Sequence, residues 1–60
     1  MNYDNETKKF IINLMLCLSE AGFKDRASEQ SKHFLDIGEN FSEEEKQILN
    51  KIIKEGEGYE

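Results

Sequence analysis

The chain has 60 residues and a net charge of −5, from 13 acidic and 8 basic side chains. A chain of this length forms at most one small domain, which buries only about 60% of its unfolded surface. One cysteine, Cys17, and one histidine, His33, exclude an internal disulfide and a zinc site made of Cys and His. The absence of proline favours helices. The predicted fold is all-α: residues 1–60 form a single three-helix bundle or angled three-helix fold with helix 1 central, held together without a cofactor.

Helix 1 is predicted over about residues 5–21, around the strongly apolar segment 10–18. In an α-helix each residue is rotated by about 100° from the previous one. We expect the side of helix 1 that carries the most apolar side chains to face the core. Ile11 and Met15 widen it. The predicted core-facing side consists of Phe10, Leu14, Cys17, Leu18 and Ala21.

The ends of helix 1 have local signals. Asp4 or Asn5 is the expected N-cap, after a frayed lead-in of residues 1–5. Gly22 suits the left-handed position after the helix, and Phe23 then completes a Schellman motif.

Helix 2 is predicted over about residues 25–37, with Asp25 as its cap and Gly38 as its stop. Its apolar side is narrow and includes the small residues Ala27 and Ser31. We expect it to lie close to helix 1, to bury little surface and to open locally before the other helices.

Helix 3 is predicted over about residues 42–55, and it begins at a capping box formed by Ser42 and Glu45. Phe41, just before the box, is expected to close one end of the core. Residues 56–60 are predicted to be disordered. The apolar side of this helix consists of Ile48, Leu49, Ile52 and Ile53.

A second apolar side of helix 1 supplies the predicted interface. Ile12 and Leu16 are one turn apart and fall outside the predicted core-facing side. An apolar pair ringed by polar groups is typical of a modest protein interface. The predicted partner or dimer interface consists of Ile12, Leu16, Lys9, Asn13 and Glu20. Two alternatives remain: a homodimer through paired copies of helix 1, or coverage of this side by helix 2 or helix 3.

Helix 3 carries an alternative site on its polar side. Lysine, asparagine and glutamine are residue types that contact phosphates and base edges, so a helix-turn-helix regulator is the competing hypothesis. The alternative DNA-contact residues are Gln47, Asn50, Lys51 and Lys54. Glutamates 43–45 and the net negative charge oppose binding to nucleic acid. Mimicry of nucleic acid by the acidic surface is a further alternative.

No catalytic site is predicted. The carboxylates lie in polar surroundings, His33 has only Glu29 one turn away, and Cys17 is expected to be a buried, inert thiol. The apolar segment is about half the length that spans a bilayer. We therefore predict a cytoplasmic, non-enzymatic protein that binds another protein and inhibits it sterically. The Lys-, Asn-, Ile- and Glu-rich composition resembles that of AT-rich bacteria and their phages, whose small proteins include inhibitors, antitoxins and counter-defence factors. A structural subunit of a larger assembly is another alternative.

Overall fold

The computed structural model describes residues 2–57, which form three α-helices. Helix α1 spans Asn5–Glu20, α2 spans Lys24–Ile37 and α3 spans Glu43–Glu57. The predicted all-α, three-helix class is confirmed. The predicted end of helix 3 at about residue 55 is too early, because α3 continues through Gly56 to Glu57. The disorder predicted for residues 58–60 lies outside the described residues.

Both ends of α1 follow local hydrogen-bonding rules. The Asp4 carboxylate accepts a hydrogen bond from the Thr7 backbone N–H at 2.7 Å. The pKa of Asp4 is lowered from its usual value of 3.8. The larger cause is the hydrogen bond from the Thr7 side chain, and the smaller is the one from the Thr7 backbone. At the other end, Gly22 has φ = +98°, and Phe23 N–H donates to the Leu18 carbonyl at 2.9 Å. These contacts confirm the predicted N-cap and Schellman motif.

Helix α2 begins without a side-chain cap, so the prediction that Asp25 caps it is wrong. Phe23 occupies the cap position, and its carbonyl already accepts from Ala27 N–H at 2.9 Å. The Schellman turn after α1 therefore leads directly into the first turn of α2, which places Asp25 inside the helix. Gly38 ends α2 as predicted.

Helix α3 begins at the predicted capping box. The Glu45 backbone N–H donates to Ser42 Oγ at 3.2 Å, and the Ser42 N–H donates to Glu45 Oε1 at 2.8 Å. These reciprocal bonds satisfy two backbone donors that the start of a helix leaves unpaired.

The most extensive helix packing is between α2 and α3, so the prediction that helix 1 is the central helix is wrong. Ser28 Oγ donates to the Ile53 carbonyl at 3.0 Å across this contact. A Cβ added to Gly56 would overlap the Lys24 carbonyl oxygen and Ser28 Cβ, so only glycine allows the two helices to approach so closely. We call this contact the α2/α3 seam. The buried residues of α2 are Ala27, Ser28 and Ser31.

The seam also defines the direction of the two helices. Residues 38–42 join the end of α2 to the start of α3, and yet the far ends of these helices, at Ser28 and Gly56, still touch. Helices that meet at both the connected and the free ends run antiparallel along their length. Helix α1 packs against both of them. The core consists of Ile11, Ile12, Met15, Ala27, Phe41, Leu49 and Ile52.

The segment before α1 docks on the turn between α2 and α3, so the predicted frayed lead-in is wrong at Tyr3. The Tyr3 backbone N–H donates to Asn40 Oδ1 at 3.0 Å, and Asn40 Nδ2 donates to the Tyr3 carbonyl at 2.6 Å. The Tyr3 ring lies 5.8 Å from that of Phe41 and 6.3 Å from that of Phe34. Phe41 is buried, as predicted, and with Tyr3 it closes this end of the core.

Candidate protein-docking surface on helix α1

The side of α1 that faces the core is only partly the predicted one, because Ile11 and Met15, which widen the predicted side, are buried, whereas Phe10 and Leu14 at its centre are exposed. The buried residues of α1 are Ile11, Ile12, Met15 and Ser19, and Ile12 is only 8% exposed. The prediction that Ile12 belongs to a partner interface is therefore corrected: its side chain contributes to the protein's own core. Ser19 explains the error. It completes the inward spacing 11, 15, 19, but a serine does not count as apolar in a periodicity analysis, and its small side chain fits against α3. Its hydroxyl lies 3.5 Å from Glu55 Oε1.

Four residues of the predicted core-facing side of α1 point instead to solvent. Phe10 is 65% exposed and Leu14 is 41% exposed, and Cys17 and Ala21 are exposed as well. We call these four residues the outer stripe; half-buried Leu18 borders it. The centre of the stripe lies about 140° around the helix from the centre of the buried side. The apolar side chains of α1 therefore extend around more than half of the helix, and within residues 2–57 the fold covers only the part that contains Ile11, Ile12 and Met15.

One edge of the outer stripe is acidic. Glu6, Asn13 and Glu20 are all exposed and lie next to the stripe at spacings of seven residues, which places them in one row along the helix. Lys9 is also exposed but lies a step further from the stripe. Four of the predicted interface residues, Lys9, Asn13, Leu16 and Glu20, are thus on the surface, and their role in binding stays a prediction.

A groove between α1 and α3 brings together residues from both predicted sites. It has a volume of about 350 Å³. Leu16, which is 37% exposed, and Glu20 come from the predicted interface, and Lys51 comes from the alternative DNA-contact set. The groove is lined by Leu16, Ser19, Glu20, Lys24, Ile48, Lys51, Ile52 and Glu55. Its apolar floor and its rim of two lysines and two glutamates have no net charge, so it offers no strong preference for an ion of either sign.

The alternative DNA-contact residues share the exposed side of α3: Gln47, Asn50, Lys51 and Lys54. Glu43 and Glu44 are exposed at the start of the same helix. Lys51 also shares the α1/α3 groove with Glu20 and Glu55, whose charges oppose its use for a phosphate.

The titratable side chains do not gather into a reactive cluster in the part of the chain that the structure describes. The His33 ring lies 6.0 Å from the Phe34 ring. Cys17 is exposed, which corrects the prediction of a buried thiol. Among residues 2–57, no group of three His, Cys, Asp or Glu side chains is arranged to hold a metal ion. None of the helices described over the same residues is long and apolar enough to cross a membrane.

The geometry places the protein in the class of small, acidic three-helix proteins in which one helix exposes a second apolar side. Comparison of the chain with protein-family models, with curated proteins and with solved structures finds no match.

Proposed function

We propose that this protein is a non-enzymatic interaction module that docks on another protein through the outer stripe of α1 and inhibits it sterically. The observation that carries the proposal is the exposure of Phe10 and Leu14 on a helix whose opposite side is already buried. A contiguous apolar surface rimmed by polar residues is typical of an interaction site.

The free energy available from burying the exposed side chains supports a docking role. Burying an exposed Phe or Leu side chain contributes roughly 1.5–3 kcal/mol. Aromatic and large apolar anchors carry most of the binding energy in protein interfaces, while their polar neighbours exclude water. Phe10 and Leu14 are such anchors on the outer stripe, with Asn13 and Glu20 beside them. When this protein docks through the outer stripe, it covers the apolar surface of its partner. Inhibition follows because that surface can no longer contact the partner's usual ligand.

The DNA-binding alternative has weaker support. In a DNA-binding helix-turn-helix the two helices cross at about 90–120°, so that the second can enter a groove. Here α2 and α3 run antiparallel and touch at their far ends, at Ser28 and Gly56. Such a pair presents the side of a hairpin rather than a projecting helix. A structural subunit of a larger assembly would use the same outer stripe. The two hypotheses differ in the result of docking, which is inhibition in one case and stable assembly in the other.

Cys17 allows a direct test, because the only thiol of the chain lies within the outer stripe. The rate of alkylation of this thiol is measured in gently lysed cells that produce the protein, and again on purified protein in the same buffer. A partner on the stripe should slow alkylation in the lysate several-fold. The neutral double variant Phe10→Gln with Leu14→Gln should lose that protection, because its anchors are gone.

Phe23→Gln is the matched control, since Phe23 is 59% exposed but lies in the turn after α1, outside the stripe. This variant should keep the wild-type protection. Equal alkylation rates in lysate and purified wild-type protein, or protection that survives the double substitution, would refute docking through the outer stripe.

A further inference from the structure

The spacing of the outer stripe matches one kind of occupant, an α-helix. Its residues, at positions 10, 14, 17 and 21, follow steps of four, three and four. This is the a and d pattern of a coiled-coil seam, in which side chains of one helix insert between those of a facing helix. The stripe runs along α1 for about three turns and ends at its C-cap residue, Ala21, so a second helix can lie along it.

The charge beside the stripe selects the type of helix. In a coiled coil, the positions next to the seam face the partner and determine which partner is accepted. Glu6, Asn13 and Glu20 occupy these positions on the open edge of the stripe, and all three are exposed. On the opposite edge, Ile11 is buried and Leu18 is half-buried, so the fold itself covers that side. The net charge of −5 adds a long-range preference of the same sign.

A second copy of the chain would place acidic side chains opposite the acidic edge of the stripe. In a symmetric antiparallel pair centred near Leu14, Glu6 of one protomer lies near Glu20 of its partner, and the symmetry repeats this contact. Like charges facing each other destabilise such a pair, and the row of α1 that contains Glu6, Asn13 and Glu20 has no basic residue to offset them. Lys9 is directed further round the helix, away from the stripe.

We infer that the outer stripe binds an amphipathic helix of another protein that carries Lys or Arg beside its apolar seam. This inference rests on the proposed function and specifies the partner's chemistry. The basic side chains would face Glu6 and Glu20, while the seam would cover Phe10, Leu14 and Cys17.

The test uses two designed helical peptides of about three heptads, both with Leu at the a and d positions. One has Lys and the other has Glu at the e and g positions. Binding to the full chain is measured by calorimetry at low salt and at about 0.3 M salt, where charge interactions are screened. We expect the Lys peptide to bind at least about tenfold more tightly than the Glu peptide, with a difference that shrinks in salt.

Charge reversal at the edge should reverse the preference. The variant Glu6→Lys with Glu20→Lys should favour the Glu peptide. The control, Glu29→Lys with Asp36→Lys, changes the net charge equally on the exposed side of α2 and should still favour the Lys peptide. If both double variants reverse the preference, net charge rather than the stripe edge selects the ligand, and the inference is wrong.

Two further outcomes would overturn the inference, and they separate it from the proposed function. Equal affinity for both peptides, lost in Leu14→Gln, would mean that the stripe docks helices without charge selection; the proposed function would then stand. No binding of either peptide would reject a helical ligand, and the Cys17 protection experiment would then decide independently whether the stripe is covered by a partner of another shape.

Discussion

The two buried serines of α2, Ser28 and Ser31, have opposite energetic roles. The Ser28 hydroxyl donates to the Ile53 carbonyl at 3.0 Å. The Ser31 hydroxyl is fully buried and has no hydrogen-bond partner among the described residues. A buried polar group without a partner costs free energy, whereas a satisfied one contributes modestly to stability. Helix α2 thus contains a stabilising and a destabilising residue of the same type, three positions apart.

Replacing these two serines with alanine should therefore change the free energy of unfolding in opposite directions. Ser31→Ala should raise the free energy of unfolding by about 1 kcal/mol, because it removes an unsatisfied hydroxyl at almost constant volume. Ser28→Ala should lower it by about 0.5–1.5 kcal/mol, because the Ile53 carbonyl then faces a methyl group. Urea unfolding followed by circular dichroism measures both. Destabilisation by Ser31→Ala would mean that its hydroxyl is satisfied in solution.

At the scale of the element, Gly56 shows how packing overrides helix propensity. Glycine inside a helix is about 1 kcal/mol less favourable than alanine, and a sequence-based interpretation places it after a helix end. Here it lies within α3, where its missing side chain makes room for the Lys24 carbonyl and for Ser28. The small contact surface of α2 is thereby compensated by a close approach to α3.

Gly56→Ala should therefore destabilise the protein even though it improves helix propensity. We expect a loss of about 1–3 kcal/mol, the usual range when a methyl group is forced into a packed contact. Thermal unfolding gives the measurement. Asn50→Ala is the matched control, because Asn50 is exposed on the same helix and its replacement changes propensity alone; it should be neutral or slightly stabilising. A stabilised Gly56→Ala variant would show that the seam is looser than described.

At the scale of the whole molecule, one exposed apolar surface and a net charge of −5 act against each other in self-association. The outer stripe favours pairing with any complementary apolar surface. The acidic edge and the overall charge oppose pairing with an identical chain. Charge beside the stripe therefore has the role of restricting the choice of partner rather than adding affinity.

We expect the protein to be monomeric in light scattering over a wide concentration range at low salt. Glu6→Lys should shift it toward a dimer, since each Glu20 would then face a lysine of the other protomer. Glu29→Lys makes the same change in net charge away from the stripe and should remain monomeric. A wild-type dimer that persists on dilution would contradict the repulsion argued from Glu6 and Glu20 and would show that a second copy covers the stripe.

The sequence by itself determined most of the features that depend on hydrogen bonds within a few residues, with the start of α2 at Phe23 rather than Asp25 as the exception. The Asp4 cap, the Schellman turn at Gly22 and the Ser42–Glu45 capping box all form between groups at most five positions apart, so their residue types and spacing suffice to predict them. The three-helix class follows from these boundaries and from the apolar periodicity between them.

Only the tertiary structure decided which side of α1 is buried. Periodicity showed two apolar sides but contains no information about the shape of the helices that must fit against them. The side with Ile12 and Ser19 faces the core, and the broader side with Phe10 and Leu14 remains outside. The same limit applies to Gly56, whose place inside α3 depends on contact with residues about thirty positions away. The docking surface thus follows from packing between distant segments, because burial depends on the fit of whole helices and not on the polarity of single residues.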